Sequence, residues 1–260
     1  MFKIGIILPS LRLPWKEGLA KAAELGADGV QVWTAGGELD PANLNAAGRR
    51  DLQGSLERHG LEISALCADY GKSFADAAQT GSLIETMKRQ VDFASELGVY
   101  VITTHIGVIP EDPASAGWRT MQGAMEVIGE YGDERGVCLA TETGPEEPRL
   151  MREFFETVPN TGIKVNYDPA NLVMAGYDHL AGARELRDYI VHTHAKDGVR
   201  GAGGAKEVPL GEGQVKWREY LAALAQTGRD LYLTIEREVG DDPVGDIAKA
   251  IAFLRPQIGR

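Results

Sequence analysis

Tyr189-Ile190-Val191-His192-Thr193-His194-Ala195-Lys196-Asp197 begins as a short apolar run and ends in two histidines, a lysine and an aspartate. Strand residues alternate faces, so His192 and His194 point the same way, and imidazole arrives at the C-terminal end of a strand. Three other apolar runs end alike. Val137-Cys138-Leu139-Ala140-Thr141 leads into Glu142, Ile163-Lys164-Val165-Asn166-Tyr167 into Asp168, and Leu231-Tyr232-Leu233-Thr234-Ile235 into Glu236. Four strands that each deliver one Glu, Asp or His at the same end describe a metal site.

Along the whole chain, eight short apolar runs can be counted: 3–8, 29–33, 62–67, 100–105, 137–142, 163–168, 189–194 and 231–236. Stretches of helical periodicity separate them, at 15–27, 44–59, 83–97, 118–131, 147–158, 181–188, 215–227 and 241–254. Eight strands alternating with eight helices over 260 residues predict an α/β fold, a closed (β/α)8 TIM barrel forming a single domain over 1–260. An open doubly wound sheet fits less well, because the polar residues end many strands and are not gathered at one switch point. Stepping back by two from each terminal polar residue gives Thr103, Ala140, Asn166, His192 and Thr234, a small or polar layer under the site. Lys164 shares that inward parity without an obvious partner. The glycine-rich segment 198–213 follows the seventh strand and reads as a long loop on the active face.

Composition bounds the function. The apolar fraction of 43% supports a packed core, and no run is long enough to span a membrane. Phe2 enters a strand without the basic and apolar regions of a signal peptide. Cys67 and Cys138 each lie inside an apolar strand and read as buried free thiols, which points to the cytoplasm. A net charge of −11 argues against a nucleic-acid partner. Homo-oligomerisation is left open.

The phrases Glu24-Leu25-Gly26-Ala27-Asp28-Gly29-Val30, Thr141-Glu142-Thr143, Asn166-Tyr167-Asp168-Pro169-Ala170-Asn171, His192 to Asp197, Val208-Pro209-Leu210-Gly211-Glu212-Gly213 and Ile235-Glu236 stand in this order along the chain. Together they resemble the xylose isomerase-like barrels, the sugar phosphate isomerase and epimerase superfamily that also contains endonuclease IV-type repair enzymes. The resemblance implies one divalent cation held by Glu142, Asp168, His194 and Glu236. It also implies a small sugar or sugar phosphate as substrate, bound open-chain, and proton transfer through an enediolate, with Glu142 and Glu236 exchanging protons with carbon. Oxygen ligands with one imidazole suit Mn²⁺ first, with Mg²⁺, Co²⁺ and Zn²⁺ as alternatives.

Departures mark the limits of the resemblance. Gln31 stands where the family often has Glu at the end of the second strand, and Asn171 stands where its ketose 3-epimerases carry His. Arg200, six residues after His194, matches an arginine of those epimerases. Five histidines are too few for a trinuclear zinc nuclease.

Taken singly, a Glu or Asp closing a strand is ordinarily a helix cap, and only the convergence of four raises the ligand reading. His105 divides evenly between substrate contact and a satisfied core hydrogen bond. Arg200, Lys196 and Asn171 are candidate substrate-binding residues, against solvated loop positions for the two cations. Trp15, Trp33 and Trp118 are core residues by default and sugar-stacking residues at best. Gly201 to Gly204 read as a flexible lid, and His59 and His179 carry no signal. An inosose-type dehydratase, a hydroxypyruvate isomerase and a non-catalytic metal-dependent ligand-binding barrel remain as alternatives.

Overall fold

The apolar runs become strands because each must bury both faces, one against the barrel interior and the other against helices. In the computed structural model, which describes residues 1–259, the strands are β1 (Phe2–Ile7), β2 (Gly29–Trp33), β3 (Glu62–Cys67), β4 (Val101–Thr104), β5 (Cys138–Glu142), β6 (Ile163–Tyr167), β7 (Ile190–Ala195), β8 (Asp197–Gly201), β9 (Gly204–Val208) and β10 (Leu231–Ile235). The helices are α1 (Trp15–Glu24), α2 (Ala46–His59), α3 (Ala77–Leu97), α4 (Ala116–Asp133), α5 (Pro148–Glu156), α6 (Pro169–Ala175), α7 (His179–Glu185), α8 (Trp217–Ala225) and α9 (Pro243–Gln257). Eight parallel strands close a TIM barrel in the order β1-β10-β7-β6-β5-β4-β3-β2, while β8 and β9 form a separate two-stranded sheet. The predicted (β/α)8 architecture is therefore the observed one. Among the described residues, no helix is long and apolar enough to cross a membrane.

Two consequences of the register matter for the site. The four strands that carry the ligand candidates, β10, β7, β6 and β5, are consecutive neighbours around the barrel. Pairing across β6 and β7 shifts between Val165 and Asn166, so that Asn166 lies opposite His192. Such an irregularity re-aims side chains, here turning Asn166 and His192 toward each other.

The helices differ from the sequence reading where caps outweigh apolar periodicity. α3 starts at Ala77, not near Leu83, because the Asp76 side chain accepts from Ala78 N–H. α6 has no counterpart among the predicted helices: its seven residues are too few to show a period, and it is started by Asp168 and Pro169. His179, expected to carry no signal, is buried in α7, and its Nε2 accepts from Lys216 N–H at 3.0 Å.

The segment 198–213, expected as a long loop, is corrected most. Residues 197–208 form an antiparallel hairpin with Gly201 opposite Gly204. Asp197 fastens the hairpin and the chain beyond it. Its Oδ1 accepts from Gly198 and Val215 N–H at 2.9 and 3.1 Å, and its Oδ2 from Gly211 N–H and Trp217 Nε1–H at 2.9 and 3.0 Å. A Cβ on Gly213 would stand 2.0 Å from Asp197 Oδ1, so only glycine lets the chain pass this carboxylate. A buried acceptor with four donors converts a glycine-rich loop into an ordered one.

The other isolated expectations resolve simply. Cys67 and Cys138 are buried free thiols, each pushed up to about 12 by burial. Lys164 is partly buried, with its ammonium 5.8 Å from the Tyr189 ring centroid. Trp118 is buried edge-on to Phe154, with centroids 5.0 Å apart, and belongs to the core.

Candidate metal centre

Glu142, Asp168, His194 and Glu236 meet at the C-terminal mouth of the barrel. One ligand atom from each lies within 4.8 Å of all the others. His194 Nδ1 is 3.4 Å from Glu142 Oε2, 3.3 Å from Glu236 Oε2 and 3.9 Å from Asp168 Oδ2. Because their strands are adjacent, Glu142 and Glu236 stand at the two ends of an arc with Asp168 and His194 between them.

The surroundings decide which atoms are free. Gln31 Oε1 lies 3.0 Å from His194 Nε2, and Gln31 Nε2 donates to Thr103 Oγ1 at 2.9 Å. The glutamine carbonyl is an acceptor, so it favours an imidazole proton on Nε2, which the Asn166 amide nitrogen also approaches at 3.1 Å, and Nδ1 is turned toward the three carboxylates. Beneath, Asn166 Oδ1 accepts from His192 Nδ1 at 2.8 Å, and Thr234 Oγ1 reaches His192 Nε2 at 2.9 Å. Burial holds His192 well below its ordinary range, with His194 adding to the effect, so its ring is neutral. It belongs to the hydrogen-bonded layer beneath the ligands.

Asp168 is divided between two tasks. Oδ1 caps α6 by accepting from Ala170 and Asn171 N–H at 2.7 and 3.1 Å. Oδ2 is buried and has no hydrogen-bond partner. An orphaned carboxylate oxygen facing two further carboxylates is costly without a cation. Burial raises Asp168 to about 7, against the lowering effect of Lys196. The same want of positive charge holds His194 well above its ordinary range, since Glu236 and Glu142 outweigh the opposing effect of burial.

Lys196 is 4% exposed, with Nζ 2.9 Å from Glu236 Oε2, 3.8 Å from Asp168 Oδ2 and bonded also to Glu238. Burial opposes its charge, but Asp168, Glu236 and Glu142 hold the ammonium above its ordinary range. With His194 neutral and all three carboxylates ionised, as ligands to a cation would be, the carboxylates and this one ammonium leave two negative charges, the charge a divalent ion would neutralise. The donor set, its spacing and the orphaned oxygen all fit such an ion.

The remaining candidates separate. Asn171 Nδ2 donates to Glu142 Oε1 at 2.8 Å and to the Thr143 carbonyl at 3.1 Å, so it orients a ligand. His105 is half exposed, 47% for its side chain, with Nε2 3.8 Å from Glu142 Oε1. Its Nδ1 lies 2.8 Å from Asp69 Oδ2. Burial works against the imidazolium, but the Asp69 hydrogen bond and the Glu142 charge prevail and raise His105 to about 9. Arg200 is not drawn into the cluster. It is exposed on the hairpin, and its guanidinium donates to the Met174 carbonyl at 2.6 Å.

Two participants escape the sequence reading. Gln31 registers there only as a lost carboxylate, although its buried place on β2, separated from β10 by β1 alone, is the signal for an outer partner of His194. Asp69, two residues beyond β3, follows the same rule of polar residues just past strand ends.

The chain is similar to known proteins in sequence and in fold. The chain is 23% identical over 246 residues to a fructoselysine 3-epimerase of Shigella flexneri, covering 86% of each protein. It is 24% identical over 261 residues to the L-ribulose-5-phosphate 3-epimerase UlaE of Escherichia coli, covering 95% of this chain and 90% of that enzyme. The crystal structure of a xylose isomerase domain protein from Planctomyces limnophilus superposes with a TM-score of 0.87 at 24% identity, over 98% of this chain and 97% of the other. Residues 19–257 match the family described as the xylose isomerase-like TIM barrel, and the chain belongs to that family.

Proposed function

We propose that this protein is a divalent-metal-dependent sugar or sugar phosphate isomerase or epimerase that moves a proton between solvent-exchangeable groups and carbon. The observation that carries the reading is the placement of two glutamates at opposite ends of one cation-binding arc. Bound by Glu142, Asp168, His194 and Glu236, a cation such as Mn²⁺ would supply Lewis acidity to the oxygens of an open-chain sugar and acidify the neighbouring C–H.

The chain's own groups then have separable tasks. Glu142 is anchored at Oε1 by Asn171, and Glu236 at Oε2 by Lys196. Each glutamate is therefore held at one end of the arc, so that one takes a proton from carbon and the other returns one. Lys196 and Asn171, candidate substrate contacts by sequence, serve as positioning residues for these carboxylates. His105, half exposed and tethered to Asp69, is the group placed to hydrogen-bond a sugar oxygen.

The test is turnover of the metal-loaded protein in deuterated water, over a panel of ketoses, ketose phosphates, inosose and hydroxypyruvate. Product that carries solvent deuterium on the carbon gaining hydrogen is expected. Product formed with no solvent deuterium would count against the two-glutamate route. Turnover confined to inosose or hydroxypyruvate would move the reading to a dehydratase or to hydroxypyruvate isomerase.

A further inference from the structure

Between β5 and α5 the chain runs Glu142-Thr143-Gly144-Pro145-Glu146-Glu147, and Glu146 is not explained by the metal centre. It is 8% exposed, and its Oε2 is buried without a hydrogen-bond partner. Glu146 lines a cavity of about 350 Å³ formed by the loop after β4, the loop after β5, α5 through Arg149, Leu150 and Glu153, and Tyr177 beyond α6. The two loops lie on the C-terminal face, where Glu142 and His105 stand at the strand ends. A buried carboxylate oxygen lacking a donor has a strong demand for one, because leaving it unmet costs more than an ordinary hydrogen bond returns.

The lining decides what kind of donor. Glu111, Glu146, Glu147 and Glu153 all face this cavity, and of its lining residues Arg149 alone is basic. Arg149 pairs with Glu153 at the exposed rim, with Nε 3.1 Å from Oε1. Val108, 62% exposed, adds an apolar rim. A phosphate placed here would meet four carboxylates against one guanidinium that is already paired, whereas an ammonium would meet the Glu146 carboxylate and its neighbours. Burial also raises the Glu146 carboxyl above its ordinary range, outweighing its own backbone N–H and the charge of His105, which act to lower it.

We propose that this cavity receives the distal end of the substrate, and that Glu146 makes the site select an ammonium-bearing end over a hydroxyl and a hydroxyl over a phosphate. The inference rests on the sugar-acting reading above and narrows it to non-phosphorylated substrates.

Binding to the metal-loaded full-length protein tests it without requiring turnover. Calorimetry would compare 1-amino-1-deoxyfructose, fructose, fructose 1-phosphate and fructose 6-phosphate. The amino sugar is expected to bind at least about tenfold more tightly than either phosphate, the scale of one charge-assisted contact against one like-charge clash. Glu146→Gln should bring the series to within about threefold, and Glu146→Asp, which keeps the charge, should retain the order. Thermal melting of both variants confirms that they are folded. Phosphates that bind as tightly as the amino sugar, a ratio unmoved in Glu146→Gln, or failure of all four sugars to bind would overturn the subsite. If the binding order holds and collapses in Glu146→Gln while no panel compound turns over, the subsite stands and the sugar-converting reading falls. Preferential turnover of a phosphate, unaffected by Glu146→Gln, would overturn the subsite and leave the sugar-converting reading standing.

Discussion

The two halves of the barrel mouth are built differently. The arc β5, β6, β7 and β10 ends in Glu142, Asp168, His194 and Glu236, and Lys196 follows directly on β7. The arc β1 to β4 contributes no ligand to that cluster. Its strands end in Ile7, Trp33, Cys67 and Thr104, and its polar contributions are the amide of Gln31 and the hydroxyl of Thr103, with Asp69 and His105 just beyond the strand ends. One half concentrates the ligand candidates, and the other supplies the Gln31 amide that meets His194 and the Asp69–His105 pair beside Glu142. Ligand candidates gathered on one arc would leave a bound cation an open side, as a catalytic metal site requires.

The contrast between the arcs is tested hardest on the charged side. Asp168→Asn or His194→Ala should weaken divalent-metal binding by more than about 100-fold, beyond the roughly 10–100-fold typical of outer hydrogen-bond partners. Calorimetry with Mn²⁺ and elemental analysis would check this, with one ion per chain expected in the wild type. Full affinity in both variants would remove the ligand assignment.

Gln31→Leu probes the other arc. It removes one hydrogen-bond partner each from His194 Nε2 and Thr103 Oγ1 while removing no ligand candidate. A loss of roughly 10-fold to 100-fold in metal affinity is expected, measured by the same titration. A loss as large as that of Asp168→Asn would erase the distinction between the arcs.

A smaller effect isolates orientation from ligation. Asn171→Ala frees Glu142 Oε1, a charge-assisted contact, and should lower kcat about tenfold while metal affinity changes less. Steady-state kinetics beside metal titration separates the two. The smallest effect belongs to Arg200→Ala on the hairpin. Metal affinity should be unchanged, with any deficit confined to turnover, about threefold or less if the guanidinium serves only the Met174 carbonyl. A large loss of kcat/KM would show instead that Arg200 leaves that carbonyl for the substrate.

What could be read along the chain depended on range. The barrel and the ligand quartet follow from local facts: a period of two within strands, a period near 3.6 between them, and a polar residue closing each of four apolar runs. The resemblance of the connecting phrases to a known family added the cation and the chemistry expected of it. Since neighbouring strands in a closed parallel barrel end at one rim, four such ends must converge, and no side-chain contact need be known in advance.

Tertiary structure decided everything that depends on residues far apart in sequence. By sequence Lys196 divides between a substrate contact and a solvated loop charge, and it becomes a buried counter-charge only because Glu236, 40 positions away, lies beside it. Gln31 meets His194 Nε2 across 163 positions, and Asp197 holds a glycine-rich segment through donors as far as Trp217. The orphaned oxygen of Glu146 is visible only once the loops around it are packed. Secondary structure is set by short-range sterics and periodicity, which one sequence displays. Hydrogen-bond partnership and burial are set by which strands become neighbours, and only the closed barrel reveals them.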